Sequence, residues 1–223
     1  MSNNLTYLRN VKTVPSPSGW TPETKYIDKL FWSPNVSPEL RELYQPANPK
    51  VNDPRRTINF MNEHVDLIGN FPGIKDQKRN IKIKNITDKN HPCCGAYGLI
   101  AAQTLQPKQL ILDYLGVVER ADGYEATSDY VFRYGTDLSI DAGRCGNEAR
   151  FCNDFRGCGP EPNVCFMNYM DEKTKHIKVG IFVNGNRKIR KGDELVCLFS
   201  VFFKKKNSLM KSSFIHIYIY IYI

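Results

Sequence analysis

The sequence predicts a predominantly β domain over residues 80–199, preceded by an irregular, partly helical region, so an α+β chain in which strands dominate. Three observations lead there. Short apolar runs with strand-like alternation recur after position 80. Glycine, asparagine and proline punctuate them, and few stretches keep the spacing of a buried helix face. Ahead of them, Ser16-Pro17, Thr21-Pro22, Ser33-Pro34 and Ser37-Pro38 exclude long regular elements, because each proline lacks an N–H and pushes its predecessor into extended geometry.

Taken in order, the first expected helix is capped by Ser37, with Pro38 in its first turn and Leu40, Leu43 and Tyr44 on one face. A second runs from about Thr57 to Ile68, with Met61, Val65 and Ile68 on its buried face and Gly69 as its stop. Strands then follow. Ile81, Ile83 and Ile86 alternate roughly with polar residues, and residues 98–101, 109–118, 130–134, 138–141, 163–166, 176–183 and 194–199 complete the set. The chain therefore divides into a proline-rich region (1–79), a β domain (80–199) and a tail (200–223).

A net charge of +8 and a pI near 9.1 favour an acidic partner or a nuclear setting. The lysines are scattered, however, and no nucleic-acid-binding motif stands out. The densest basic run, residues 186–191, reads as a solvated hairpin end, with an import signal as the alternative. Seven cysteines are an odd number, and the opening Met1-Ser2-Asn3-Asn4 is polar rather than secretory, so reduced thiols in a nuclear or cytosolic protein are expected. The cysteines form no C-x-x-C pair, so no zinc or other metal site is expected. The tail ends in alternating Ile and Tyr over residues 217–223, far short of the ~20 residues a membrane span needs. An alternating A/T repeat read in frame encodes that pattern, and the tail is expected to be translated non-coding sequence that does not fold.

The most informative segment is residues 146–154, Gly-Asn-Glu-Ala-Arg-Phe-Cys-Asn-Asp, followed by Pro162-Asn163. Asparagine competes for nearby backbone groups and is disfavoured inside regular elements. Two of them around Ala149-Arg150-Phe151 indicate a loop or short helical turn whose amides bond something specific, whether a local turn network or a ligand.

This segment falls into an ordered set. Residues 95–101 (Gly-Ala-Tyr-Gly-Leu-Ile-Ala) precede 111–116 (Ile-Leu-Asp-Tyr-Leu-Gly), then Tyr130-Val131-Phe132-Arg133, Asp141-Ala142, the 147–153 stretch, and 188–195 (Lys-Ile-Arg-Lys-Gly-Asp-Glu-Leu). In this order the chain resembles the SET-domain protein lysine methyltransferases over residues 80–199. The resemblance implies several short β-sheets with a threaded C-terminal segment, S-adenosylmethionine as cofactor, and methyl transfer to a protein lysine, with a histone tail or another nuclear protein as the expected substrate and a chromatin complex as the setting. It implies that Gly95, Tyr97, Gly98, Tyr130, Asn153 and Asp154 surround the cofactor. It further implies that Tyr114, Tyr130 and the residue at 199 line the reacting channel. Without the family, Tyr114 and Tyr130 would read as half-buried strand residues and Arg150 as a core ion-pair partner.

Three departures accompany it. Asp154 stands where the family usually has histidine, and residues 155–161 lengthen the loop. Phe199 stands where the family has a tyrosine whose hydroxyl orients the amine. The cysteine-rich segment that follows many such domains is not recognisable. The alternative is a non-catalytic module that keeps the cofactor pocket or peptide groove.

Overall fold

In a computed structural model the chain is described over residues 5–121 and 128–199. The expectation for the tail concerns residues outside this range. The described strands, in chain order, are β1 (Lys25–Tyr26), β2 (Phe31–Trp32), β3 (Leu67–Gly69), β4 (Ile81–Asn85), β5 (Tyr97–Ala101), β6 (Leu110–Asp113) and β7 (Val117–Arg120). They continue with β8 (Val131–Tyr134), β9 (Leu138–Asp141), β10 (Cys145–Gly146), β11 (Asn153–Asp154), β12 (Val164–Asp171), β13 (Ile177–Val183) and β14 (Val196–Cys197). The α-helices are short: α1 (Pro38–Tyr44), α2 (Ile58–His64) and α3 (Ile74–Gln77). The fold is mainly β, as the sequence predicts.

The strands form small sheets rather than one large one. Two are four-stranded, in the orders β3-β12-β13-β6 and β2-β7-β9-β8, and three are two-stranded, β4-β5, β1-β10 and β11-β14. β12 and β13 form the longest hairpin. Its turn is fixed by Asp171, whose carboxylate accepts from the Lys173 amide at 2.8 Å while its carbonyl accepts from Lys175 N at 2.7 Å. Strands from the proline-rich region pair with the β domain: β1 runs parallel to β10, β2 to β7 and β3 to β12.

α1 starts as its cap predicts, with Ser37 Oγ accepting from Leu40 N at 3.2 Å and Tyr44 wholly buried at the far end. The second helix departs from expectation. It is capped by Thr57 but ends at His64, and Leu67, Ile68 and Gly69 form β3 instead. Ile68 is half exposed and His64 is buried. The Asp66 amide donates to Asn168 O at 2.8 Å, so pairing with β12 captures the chain before another helical turn can form.

The 109–118 run also divides. β6 joins the β12–β13 sheet and β7 joins another, with Tyr114-Leu115-Gly116 as the corner between them. Asn147 makes this corner possible. It is wholly buried, accepts from Leu115 N at 3.1 Å through Oδ1 and donates from Nδ2 to Asp113 O at 2.8 Å. A side-chain amide thus replaces the backbone partner that the chain loses between sheets.

The C-terminal segment is enclosed. β14 pairs parallel to β11, and Phe155 N donates to Cys197 O at 2.8 Å. On its other side Asn163 N donates to Val196 O at 3.0 Å, Val196 N donates to Asn163 Oδ1 at 2.9 Å, and Asn163 Nδ2 donates to Glu194 O at 2.7 Å. Residues 153–163 therefore arch around β14, and Asn163 supplies hydrogen bonds that an ordinary strand neighbour would give.

Candidate active site

Beside this arch lies a cavity of about 360 Å³. Its floor is aromatic. Phe132 and Phe166 stack with ring centres 4.8 Å apart, and Tyr114 sits against both, 5.9 and 5.6 Å away. Tyr114 and Phe166 line the cavity, and Phe199 completes that end with its ring centre 6.5 Å from Phe166. The Tyr114 hydroxyl donates to the Tyr130 carbonyl at 2.7 Å. Burial, reinforced by the Asp141 carboxylate, pushes the Tyr114 phenol well above its ordinary pKa, so it stays neutral. With its proton committed, its oxygen keeps free lone pairs.

The other wall is the 3-10 turn Glu148–Phe151 and the residues that follow it. Arg150 donates from Nε to Ala142 O at 3.1 Å. Its guanidinium carbon lies 4.1 Å from the Tyr130 ring centre, 5.2 Å from Phe151 and 5.9 Å from Trp20. These aromatic faces hold a cation at the cavity wall. Asn153 Nδ2 donates to Tyr97 O at 3.2 Å and to Glu194 Oε1 at 2.9 Å.

Tyr97, Tyr114, Tyr130, Asn153 and Phe199 all line the cavity. Gly95, Gly98 and Asp154 do not line it. Gly95 sits in the turn before β5 at φ +87°, a conformation that favours glycine. At Gly98 a Cβ would lie 2.7 Å from Glu194 Oε1, so glycine there makes room for that carboxylate. The Asp154 carboxylate accepts from Arg156 Nε at 2.7 Å, Arg156 Nη2 at 2.8 Å and Phe199 N at 2.9 Å.

The cavity has further walls that the sequence did not announce. Thr21 comes from the proline-rich region, and nothing local marks it as a lining residue. Phe166 lies in an apolar strand, where an aromatic residue reads as core. Arg150 read, without the family, as a core ion-pair partner, and its stacking on aromatic rings was not legible.

Residues 96–199 match the family model described as SET domain. Similar solved structures include KRYPTONITE in complex with mCHH DNA, H3(1-15) peptide and SAH, at 20% identity and a TM-score of 0.50, over 80% of this chain and 42% of that one. KRYPTONITE in complex with mCHG DNA and SAH matches at 18% identity and a TM-score of 0.52, over 81% of this chain and 43% of that one. The chain thus spans less than half the length of these relatives, and at such identity the likeness is one of fold.

Proposed function

We propose that this chain is an S-adenosylmethionine-dependent methyltransferase domain acting on a protein lysine, with a histone tail as the substrate class and chromatin in the nucleus as the setting. The observation that carries the reading is the meeting, in one cavity of a SET domain, of a caged cation, an oriented amide and an aromatic end. The SAH bound in the KRYPTONITE structures supports the same cofactor class.

The residues fit such a cofactor. Arg150 offers a guanidinium to a carboxylate, Asn153 Oδ1 offers an acceptor to an ammonium or amino group, and the Tyr97 backbone and Tyr130 ring bound the rest. Asp154 would contribute through its main chain, because its side chain is engaged with Arg156 and Phe199. When bound, the cofactor supplies an electrophilic methyl group.

This chain's residues do the rest. A lysine amine with an ordinary pKa of about 10.4 must lose its proton to water before it can act as a nucleophile. Desolvation between Tyr114, Phe166 and Phe199, near the Arg150 cation, favours the neutral amine. Tyr114 orients it: having donated its hydrogen to Tyr130 O, the phenol oxygen can accept an amine N–H. Phe199 closes the channel without a hydroxyl. That feature favours a second reading, a non-catalytic module that binds cofactor and peptide without transferring the methyl group.

Calorimetry with S-adenosylhomocysteine, followed by transfer of labelled methyl to a histone mixture, tests both readings. Binding with transfer supports the enzyme, and binding without transfer supports the module. Absence of binding by the folded protein overturns both.

A further inference from the structure

Glu194 and His91 lie outside the cavity yet are joined to it through Asn153. The Cys93 amide donates to His91 Nδ1 at 3.0 Å, which makes Nδ1 an acceptor and leaves the proton of the neutral ring on Nε2. That nitrogen lies 3.0 Å from Glu194 Oε2. The other carboxylate oxygen, Oε1, accepts from Asn153 Nδ2. The chain of contacts is therefore Cys93 amide, His91, Glu194, Asn153.

Its effect on Asn153 follows from the donor count. An amide NH₂ has two hydrogens, and both are spent, one on Tyr97 O and one on Glu194 Oε1. A flipped amide would turn its oxygen toward a carbonyl and a carboxylate, which repel it. Among the described residues Oδ1 accepts nothing, so the one polar atom left for a ligand is an acceptor.

Glu194 is itself held firmly. Its carbonyl accepts from Asn163 Nδ2 at 2.7 Å, and the next residue, Leu195, donates from N to Leu99 O at 2.7 Å. The side chain passes over Gly98, where any Cβ would collide with it. The side chains of Glu194 and His91 are only 20% and 11% exposed, so water competes weakly for their hydrogen bond.

We propose that His91 and Glu194 are positioning residues that fix the Asn153 amide with its oxygen available to a donor on the bound cofactor. Neither touches the ligand. The proposal rests on the S-adenosylmethionine reading and adds to it a residue that precedes the matched SET range. It also gives Gly98 a role different from close approach to the cofactor: it opens the path by which Glu194 reaches Asn153.

The test is S-adenosylhomocysteine affinity by calorimetry for Glu194→Ala, His91→Ala and His91→Gln, each alone and combined with Asn153→Ala. Loss of the charged acceptor in Glu194→Ala weakens binding about tenfold, and His91→Ala weakens it roughly threefold. His91→Gln restores affinity to within about twofold, because an amide N–H can still donate to Glu194. On the Asn153→Ala background neither substitution costs further affinity, a coupling that a purely structural role would not produce. Additive losses, or undiminished affinity in folded Glu194→Ala, overturn the proposal while leaving the cofactor reading in place. Should Glu194→Ala not fold, the His91 pair and its Asn153 double variants decide alone. Wild-type protein that binds no S-adenosylhomocysteine overturns both.

Discussion

The Phe199 amide donates to the Asp154 carboxylate at 2.9 Å. Arg156, already paired with that carboxylate, returns a hydrogen bond from Nη2 to the Phe199 carbonyl at 2.8 Å. Both polar backbone atoms of residue 199 are therefore gripped by side chains from the arch around β14. The aspartate that departs from the family pattern has a specific task here, namely to anchor the residue whose ring ends the cavity.

Releasing that anchor should affect transfer more than cofactor binding. Asp154→Ala is expected to lower the methyl-transfer rate about tenfold while changing S-adenosylhomocysteine affinity less than Asn153→Ala does. Arg156→Lys should resemble Asp154→Ala, because an ammonium cannot reproduce the planar fork. Parallel rate and calorimetric measurements check this, and equal losses in rate and affinity would contradict it.

The same anchor has a defined pH range. Burial alone would raise the Asp154 pKa, but hydrogen bonds from the Arg156 side chain and from the Arg156 and Phe199 amides outweigh it and hold the carboxyl below its ordinary value. A lowered folded-state pKa contributes stability above the unfolded pKa of about 3.9, and this is lost as pH falls through the folded value. The stability difference between wild type and Asp154→Ala should thus be constant near neutrality and shrink only below about pH 4. Denaturation followed at several pH values measures it.

Phe199→Tyr would place a hydroxyl at the cavity end, near Tyr114 and Phe166. A positioned donor of this kind is worth about 10²- to 10³-fold in rate. Single-turnover transfer should accelerate substantially. A folded variant with no gain would mean that position 199 does not face the amine.

Asn147→Ala should be among the most destabilising polar substitutions in the domain. It strips partners from the Leu115 amide and the Asp113 carbonyl in a wholly buried setting, at a cost of about 2–4 kcal/mol. Urea denaturation would show a lower midpoint, and Asn147→Asp should do no better, since it sets an acceptor against a carbonyl.

What could be read from the sequence was whatever is fixed locally. Ser37 and Pro38 start α1 because a cap and a first-turn proline act within four residues. β4 follows from the alternation of Ile81 and Ile83. The order of motifs around residues 147–153 led to the family and to the cavity's tyrosines. Ile68, however, looked like the last residue of a helix face, and only its pairing with Met170 makes it a strand residue. The continuous strand-like run from Gln109 to Val118 concealed a change of sheet at Tyr114–Gly116 that Asn147, more than 30 residues later, makes possible. Thr21 and His91 reach the cavity or its supports through contacts across the fold that no local pattern encodes.

The pairing of β1 with β10 and of β2 with β7 has a consequence for how the molecule must assemble. Lys25 meets Cys145 and Phe31 meets Val117, so these ladders close only after very long loops have been brought together. Topologies dominated by such distant pairings fold slowly, because loop entropy is lost before the contacts that offset it are made. Until the proline-rich segment docks, β7 and β10 each present an uncovered edge to neighbouring chains. A fragment trimmed to the SET match alone would keep those edges permanently and should aggregate on expression, whereas one that begins ahead of Lys25 carries its own protection.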